Sequence, residues 1–192
     1  NTIQLKPGDS VLFAAGQQFT GMLSIRDARG SQQQPIVIAS YDFKGSKAKP
    51  IIDAGKDLNA ILIQNSSHIK VQGLELTGKT PYFSQDSIQQ SLLRCGVLVE
   101  VTKNESYENI QLTDLLVHDV YYHQPGFTRS AAETKSANGT QSYGWGIRFI
   151  NNTKQGKLSN IKVLRATIQN VSHTGLKATA NRNGIINLEI AN

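Results

Sequence analysis

The sequence lacks several features that would assign it to a common class. Cys95 is the single cysteine among 192 residues, so no disulfide forms within the chain, and we expect its thiol to be buried and inert. No apolar run approaches the roughly 20 residues of a membrane-spanning helix. No signal segment stands at the N-terminus, and a start at Asn1 is what we expect of a mature secreted or periplasmic chain. No His/Cys cluster has metal-ligand spacing, and no ten-residue segment has clear helical periodicity.

Charge restricts the partners of the protein. Twenty Lys and Arg residues against 14 Asp and Glu residues give a formal net charge of +6, which favours anionic partners. No Lys/Arg cluster is interleaved with aromatic residues, so we expect no nucleic-acid partner. An acidic polysaccharide is the partner class that we favour. The alternative is a basic surface that only keeps the protein soluble.

Two phrases recur along the chain and predict its fold. Apolar residues alternate in each phrase, which indicates strands, and self-similarity at this length indicates a solenoid. The first phrase is AILIQN at Ala60, GVLVEV at Gly96, GIRFIN at Gly146 and GLKATA at Gly175. The second is HIKVQGLELTG at His68, NIQLTDLLVHDV at Asn109, NIKVLRATIQNV at Asn160 and IINLEIAN at Ile185. We predict an all-β, single-stranded parallel β-helix with three strands in each coil, and a turn role for His68.

The chain is predicted to form one domain over residues 1–192. Residues 1–59 form entry coils with shorter strands, and residues 60–192 form regular coils. Long loops at 79–94 and 121–143 leave the same corner on successive coils, and loops of that length in a compact fold are usually functional. The last coil ends without a polar cap. We therefore expect an N-terminal portion of a longer helix, truncated at its C-terminus, or a second chain that completes it.

Side-chain alternation places a group of charges on the outer surface of the first-strand sheet. The outward positions are Leu62, Leu98, Arg148 and Lys177, followed one step on by Gln64, Glu100, Ile150 and Thr179. Stacked strands are about 4.8 Å apart, so Arg148 and Lys177 are expected to be neighbours. Such cations neutralise a uronate carboxylate in a β-eliminating lyase, with Lys177 as the base. The alternatives are a solvated pair or a salt bridge from Arg148 to Glu100.

Histidines and aromatic residues surround this column in the sequence. His173 precedes the last strand and either transfers a proton or caps a turn. Rings on loop walls stack on sugars, or they pack the loop onto the helix. The candidates are Tyr121, Tyr122, His123, Tyr143 and Trp145. His118 and Asp119 are expected to anchor the longest loop, and Glu100 completes the predicted binding residues.

The opening of the chain adds a resemblance. IQLKPGDSVLFAAGQQFTGMLSI, QQQPIVIASYD and KPIIDAG resemble the entry coils of the parallel β-helix superfamily of pectate, alginate and chondroitin lyases and β-helical glycoside hydrolases. The resemblance implies a right-handed parallel β-helix, secretion and polysaccharide cleavage, although the fold also hosts adhesins. No polygalacturonase acid triad and no alginate-lyase calcium or catalytic motif is present. No cofactor is therefore assigned, and a calcium site from loop carboxylates stays open.

These observations lead to one functional hypothesis and two alternatives. The hypothesis is a secreted enzyme, or its N-terminal part, that cleaves an anionic polysaccharide by β-elimination. The first alternative is a β-helical glycoside hydrolase, whose paired carboxylates would come mostly from loops. The second is a non-catalytic glycan-binding or adhesin β-helix.

Overall fold

The computed structural model describes residues 4–80, 93–123, 126, 128 and 143–192. Within these residues every regular element is a β-strand, numbered β1 to β16 along the chain. The strands are Ser10–Ala14, Gln18–Thr20, Leu23–Arg26, Ile36–Tyr41, Ile51–Asp53, Asn59–Gln64, Ile69–Gln72, Glu75–Gly78, Arg94–Val101, Ser106–Thr113, Leu116–Val120, Gly144–Asn151, Lys157–Leu164, Thr167–Val171, Leu176–Ala180 and Ile185–Ala191. No helix in this described part is long and apolar enough to cross a membrane.

The strands form three parallel sheets that the chain visits in turn. Sheet A has the strand order β1-β4-β7-β10-β13-β16. Sheet B has the order β2-β5-β8-β11-β14, and sheet C has the order β3-β6-β9-β12-β15. Each coil adds one strand to every sheet, and each strand bonds to the equivalent strands of the coils before and after it. This arrangement confirms the predicted parallel β-helix.

Aliphatic side chains stack in columns inside the coils. Ile61, Val97 and Ile147 are partners in sheet C, and all three are fully buried. Sheet A has an equivalent column, which consists of Ile36, Ile69, Ile110 and Ile161. Branched side chains pack well on pleated strands, and each fully buried one contributes about 1.5–3 kcal/mol relative to exposure. The alternation in the repeated phrases therefore produces this core, as predicted.

A ladder of left-handed residues follows sheet A, just before strand β7 and within strands β10, β13 and β16. His68, Asn109, Asn160 and Asn187 occupy equivalent positions with φ of 57°, 58°, 54° and 55°. Asparagine and histidine tolerate this conformation better than most residues. The Asn187 amide donates to Asn160 Oδ1 (3.1 Å), and the Asn109 amide lies 3.3 Å from His68 Nδ1. The turn role predicted for His68 is confirmed.

The sequence analysis missed one strand, and two predicted loops lie mostly outside the residues that the structure describes. Strand β2, Gln18–Thr20, was not predicted, because three exposed residues show no alternation. The predicted loops 79–94 and 121–143 connect sheet B to sheet C, and most of their residues lie outside the described ranges. The third connection at this corner, from Val171 to Leu176, is short.

Glycines let the backbones approach closely at the start of the sheet C strands. A Cβ on Gly146 would lie 2.3 Å from the Gly175 carbonyl oxygen and 2.4 Å from Ile168 Cγ2. A Cβ on Gly175 would instead lie 3.7 Å from Ile168 Cγ2, which is ordinary contact. A Cβ on Gly96, one coil earlier, would lie 2.3 Å from Val117 Cγ1, so Gly96 and Gly146 require glycine and Gly175 does not.

Candidate functional site

A second apolar cluster lies on the outer surface of sheet C. Its buried members are Leu62, Leu93, Cys95, Leu98, Trp145 and Ile150, with Met22 and Tyr143 packed against them. Burial raises the pKa of the Cys95 thiol far above its usual range, so the thiol stays neutral and inert, as predicted. The outer surface of sheet C is therefore largely apolar, and its charged residues lie beside this cluster.

Arg148 belongs to this outer surface but is not exposed. Its guanidinium carbon lies 4.0 Å from the centre of the Trp145 ring, and the residue is 4% exposed. Burial lowers the pKa of the guanidinium below its usual range. Nε and Nη1 have no hydrogen-bond partner among the residues that the structure describes. The expectation of a solvent-facing Arg148 was wrong, because Trp145, three residues earlier in the same strand, covers it.

Lys177 is the direct neighbour of Arg148 in the sheet. The two residues are partners in adjacent strands, and Lys177 Nζ lies 5.1 Å from the centre of the same indole. Lys177 is half-buried. Among the described residues no carboxylate forms an ion pair with either cation. The alternative salt bridge from Arg148 to Glu100 is absent, since Glu100 accepts a hydrogen bond from the Gln64 amide (2.7 Å) instead.

His173 and Tyr143 complete the group. The His173 ring centre lies 4.2 Å from that of Trp145 and 4.5 Å from that of Tyr143. His173 is exposed, its Nδ1 bonds the Thr174 hydroxyl, and its backbone N–H donates to the Gly144 carbonyl (3.0 Å). We call Tyr143, Trp145, Arg148, His173 and Lys177 the Trp145 cluster. The structure places all three predicted catalytic side chains around one indole.

The predicted sugar-stacking rings are placed differently from one another. Trp145 lies in strand β12 and is fully buried, and Tyr122 is 1% exposed, so neither presents an open face. The expectation that both overhang a groove was wrong, and the alternative of packing onto the helix fits them. Tyr121 and His123 are half-buried, and the His123 ring packs against Tyr122 at 5.1 Å.

A network of polar side chains lies on sheet B at the same corner. His118 Nδ1 lies 2.8 Å from Asp119 Oδ2, and His118 Nε2 lies 3.0 Å from Glu75 Oε1. The Tyr121 hydroxyl donates to Asp119 Oδ1 (2.8 Å). Sequence analysis missed Glu75. The signal that could have found it is register, since Glu75 faces outward beside Leu116, two positions from His118.

The electrostatics of this network fit an anchor. Burial lowers the pKa of His118, but hydrogen bonds to Asp119 and Glu75 outweigh it and raise the pKa above its usual value. Hydrogen bonds from His118 and Tyr121 hold the pKa of Asp119 below its usual value. Both imidazole nitrogens are engaged, so the ring ties β11 to β8 where the chain leaves for residues 121–143. This agrees with the anchoring role predicted for His118 and Asp119.

The described residues offer no group of three or more His, Cys, Asp or Glu side chains that could hold a metal ion. A calcium site from loop carboxylates would involve residues outside the described ranges. The chemistry available here is therefore that of cations, imidazoles and a few separate carboxylates.

Comparisons with known proteins support the fold. No protein-family model matches the chain, and no curated protein sequence matches it. The fold places the chain in the class of parallel β-helix proteins. The chain is similar to crystal structures of a GH136 lacto-N-biosidase from Eubacterium ramulus. The selenomethionine form has a TM-score of 0.71 at 22% identity over 99% of this chain, and the native form 0.69 at 20% over 98%. This chain spans about a third of that enzyme, 36% and 35% of the two chains.

A more distant structure is an alginate lyase from a Paenibacillus strain. It has a TM-score of 0.41 at 16% identity, over 97% of this chain and 70% of the lyase. A likeness of that size carries no argument about activity.

Proposed function

We propose that the chain is part of a secreted carbohydrate-active enzyme that cleaves an anionic polysaccharide on the outer surface of sheet C. The observation that carries the proposal is the adjacent pair Arg148 and Lys177, with no carboxylate against either cation in the described part of the chain. Two like charges in a partly desolvated site repel, and an anion between them relieves that repulsion. A uronate carboxylate is such an anion.

In the proposed β-elimination each residue has a separate role. Arg148 neutralises the uronate carboxylate, which acidifies the hydrogen on the adjacent carbon. Lys177, the more accessible of the two side chains, is the base that removes this proton. The electron pair forms a carbon–carbon double bond as the glycosidic carbon–oxygen bond breaks, and the leaving oxygen takes a proton from His173. The half-buried Glu100 and Tyr143 bind flanking hydroxyls.

The experiment uses the unsaturated product, because only elimination makes it. The chain is incubated with polygalacturonate and with alginate, and ultraviolet absorbance of the unsaturated uronate is followed. Lys177→Met is expected to lower the rate at least tenfold. Lys162→Met is the matched control, since Lys162 lies on sheet A and is paired with Glu189 at 2.8 Å. Equal rates for the two variants would show that Lys177 takes no part in the reaction.

A glycoside hydrolase is the second candidate. It is supported by two carboxylates, Glu75 and Asp119, that flank one imidazole on the outer surface of sheet B. Hydrolysis needs two carboxyl groups that flank the scissile glycosidic bond, about 5–10 Å apart. Reducing ends without the unsaturated product, abolished by Glu75→Gln, would establish this candidate and exclude elimination. Binding of polyuronate without either product would mean a glycan-binding module.

A further inference from the structure

The outer surface of sheet A carries a cleft that the proposed function does not use. It has a volume of about 440 Å³ and lies beside the ladder of left-handed residues that follows sheet A. A second cleft of about 310 Å³ adjoins it, and both are lined by His68 and Glu108. These volumes fall in the range of small-ligand pockets.

The lining side chains are held in place by the ladder. His68, Asn109 and Asn160 all have left-handed backbones, with φ of 57°, 58° and 54°. Asn109 Nδ2 lies 3.3 Å from His68 Nδ1, and His68 Nε2 faces Glu108 Oε1 at 3.7 Å. Side chains fixed in this way lose little freedom when a ligand binds.

Polar groups in the cleft have hydrogen-bonding capacity left over. Glu108 Oε1 is 3.7 Å from His68 Nε2, and its Oε2 is 3.4 Å from the Asn160 amide, both longer than a good hydrogen bond of about 2.7–3.2 Å. Lys70 forms no ion pair among the described residues. Lys162, which follows it in the same column of sheet A, is neutralised by Glu189 at 2.8 Å. The cleft therefore keeps one free ammonium and one weakly bonded carboxylate.

The composition of the lining selects among ligand classes. One carboxylate and one ammonium cancel, and the remaining groups include the amides of Gln111 and Asn160, which both donate and accept. One carboxylate is too few for a divalent cation, which prefers several oxygen ligands. A balanced set of donors and acceptors is complementary to hydroxyl groups.

We propose that this cleft binds a neutral, hydroxyl-rich sugar unit, at a site separate from the Trp145 cluster. The two sites lie on different sheets and differ in charge, so the sheet A site accepts uncharged sugars. A glycan held here raises the effective concentration of its remaining units at the protein surface. The proposal stands whether or not the Trp145 cluster is catalytic.

The test is a titration of the isotopically labelled chain with galactose, N-acetylglucosamine and their β-linked disaccharides. Side-chain amide signals of Asn109, Gln111 and Asn160 are expected to shift with saturation at millimolar concentrations. Fluorescence of Trp145, the single tryptophan, reports on sheet C and is expected not to change. Glu108→Gln is expected to weaken binding at least fivefold. Glu189→Gln, on the same sheet but outside the cleft, is the control and leaves binding unchanged.

Three outcomes would overturn the proposal. The first is the absence of saturable amide shifts with every probe. The second is an equal effect of Glu108→Gln and Glu189→Gln, which would assign the binding to general surface charge. The third is tighter binding of galacturonate, titrated in parallel, than of galactose at the same amides, together with a change of Trp145 fluorescence in step with the shifts.

Discussion

Sheet C packs apolar side chains on both of its surfaces, and the two clusters differ in kind. The inner one is a stack of aliphatic residues such as Ile61, Val97 and Ile147, each matched by an equivalent residue one coil away. The outer one has a single indole, Trp145, against which a guanidinium and an imidazole pack. Repetition characterises the inner cluster, whereas the outer cluster combines a short stack of Leu62 and Leu98 with an indole, a guanidinium and an imidazole. The inner cluster has a structural role, and we place the function at the outer cluster.

The largest expected effect comes from placing a charge inside the coil. Ile147→Asp buries a carboxylate with no partner among aliphatic side chains, and we expect the chain not to fold. Soluble yield and a circular dichroism melt measure the result. Lys157→Asp, an exposed position on sheet A, is the control and should fold normally. A cooperatively melting Ile147→Asp variant would contradict the inward assignment.

Aromatic truncation compares the two clusters directly. Phe149→Ala removes a fully buried inner ring, and we expect a loss of about 3–5 kcal/mol in the free energy of unfolding. The loss for Trp145→Ala is expected at the lower end of that range, because removing the indole lets water solvate the Arg148 guanidinium. Urea unfolding measures both losses. A larger loss for Trp145→Ala would mean that the outer cluster is the more important for stability.

The glycine column compares an inner coil with the last coil in the chain. Gly146→Ala forces a methyl group to within 2.3 Å of the Gly175 carbonyl oxygen, and we expect a loss of about 3 kcal/mol. Gly175→Ala meets only an ordinary contact, and we expect a change between zero and a gain of about 1 kcal/mol from the stiffer unfolded chain. Thermal unfolding of the two variants decides this, and equal melting temperatures would refute the close approach.

The smallest expected effect is pH dependence of the anchor on sheet B. The raised pKa of His118 stabilises the fold fully below about 6.5, its unfolded value, and that contribution is lost as pH rises through the folded pKa. The lowered pKa of Asp119 stabilises above about 3.8 and is lost as pH falls through its folded pKa. Between these limits His118→Gln should cost about 1 kcal/mol. The cost, measured by urea unfolding, should shrink at pH 9, and a constant cost would contradict the charge argument.

Sequence patterns predicted the fold well because alternation determines which way each side chain points. The sheet C register, with Arg148 beside Lys177, followed from aligning Gly146 with Gly175. Alternation does not determine what covers an outward side chain, so the burial of Arg148 was missed. Glu75 was missed because its partner His118 lies one coil away in a strand whose side chains vary.

Beyond the entry coils, one corner of the coil has connections of very different length, whereas the connections at the other two corners are all short. From Asn59 onward the other two corners are crossed in short steps, such as Gln64 to Ile69 and Gln72 to Glu75. The corner between sheets B and C separates Gly78 from Arg94 and Val120 from Gly144, yet strands pair on both sides of it, with one register shift in sheet B between His118 and Val120. Insertions and deletions at this corner leave the hydrogen-bonded frame intact. Over evolutionary time such a protein can acquire a new specificity by exchanging segments there, at little risk to its ability to fold.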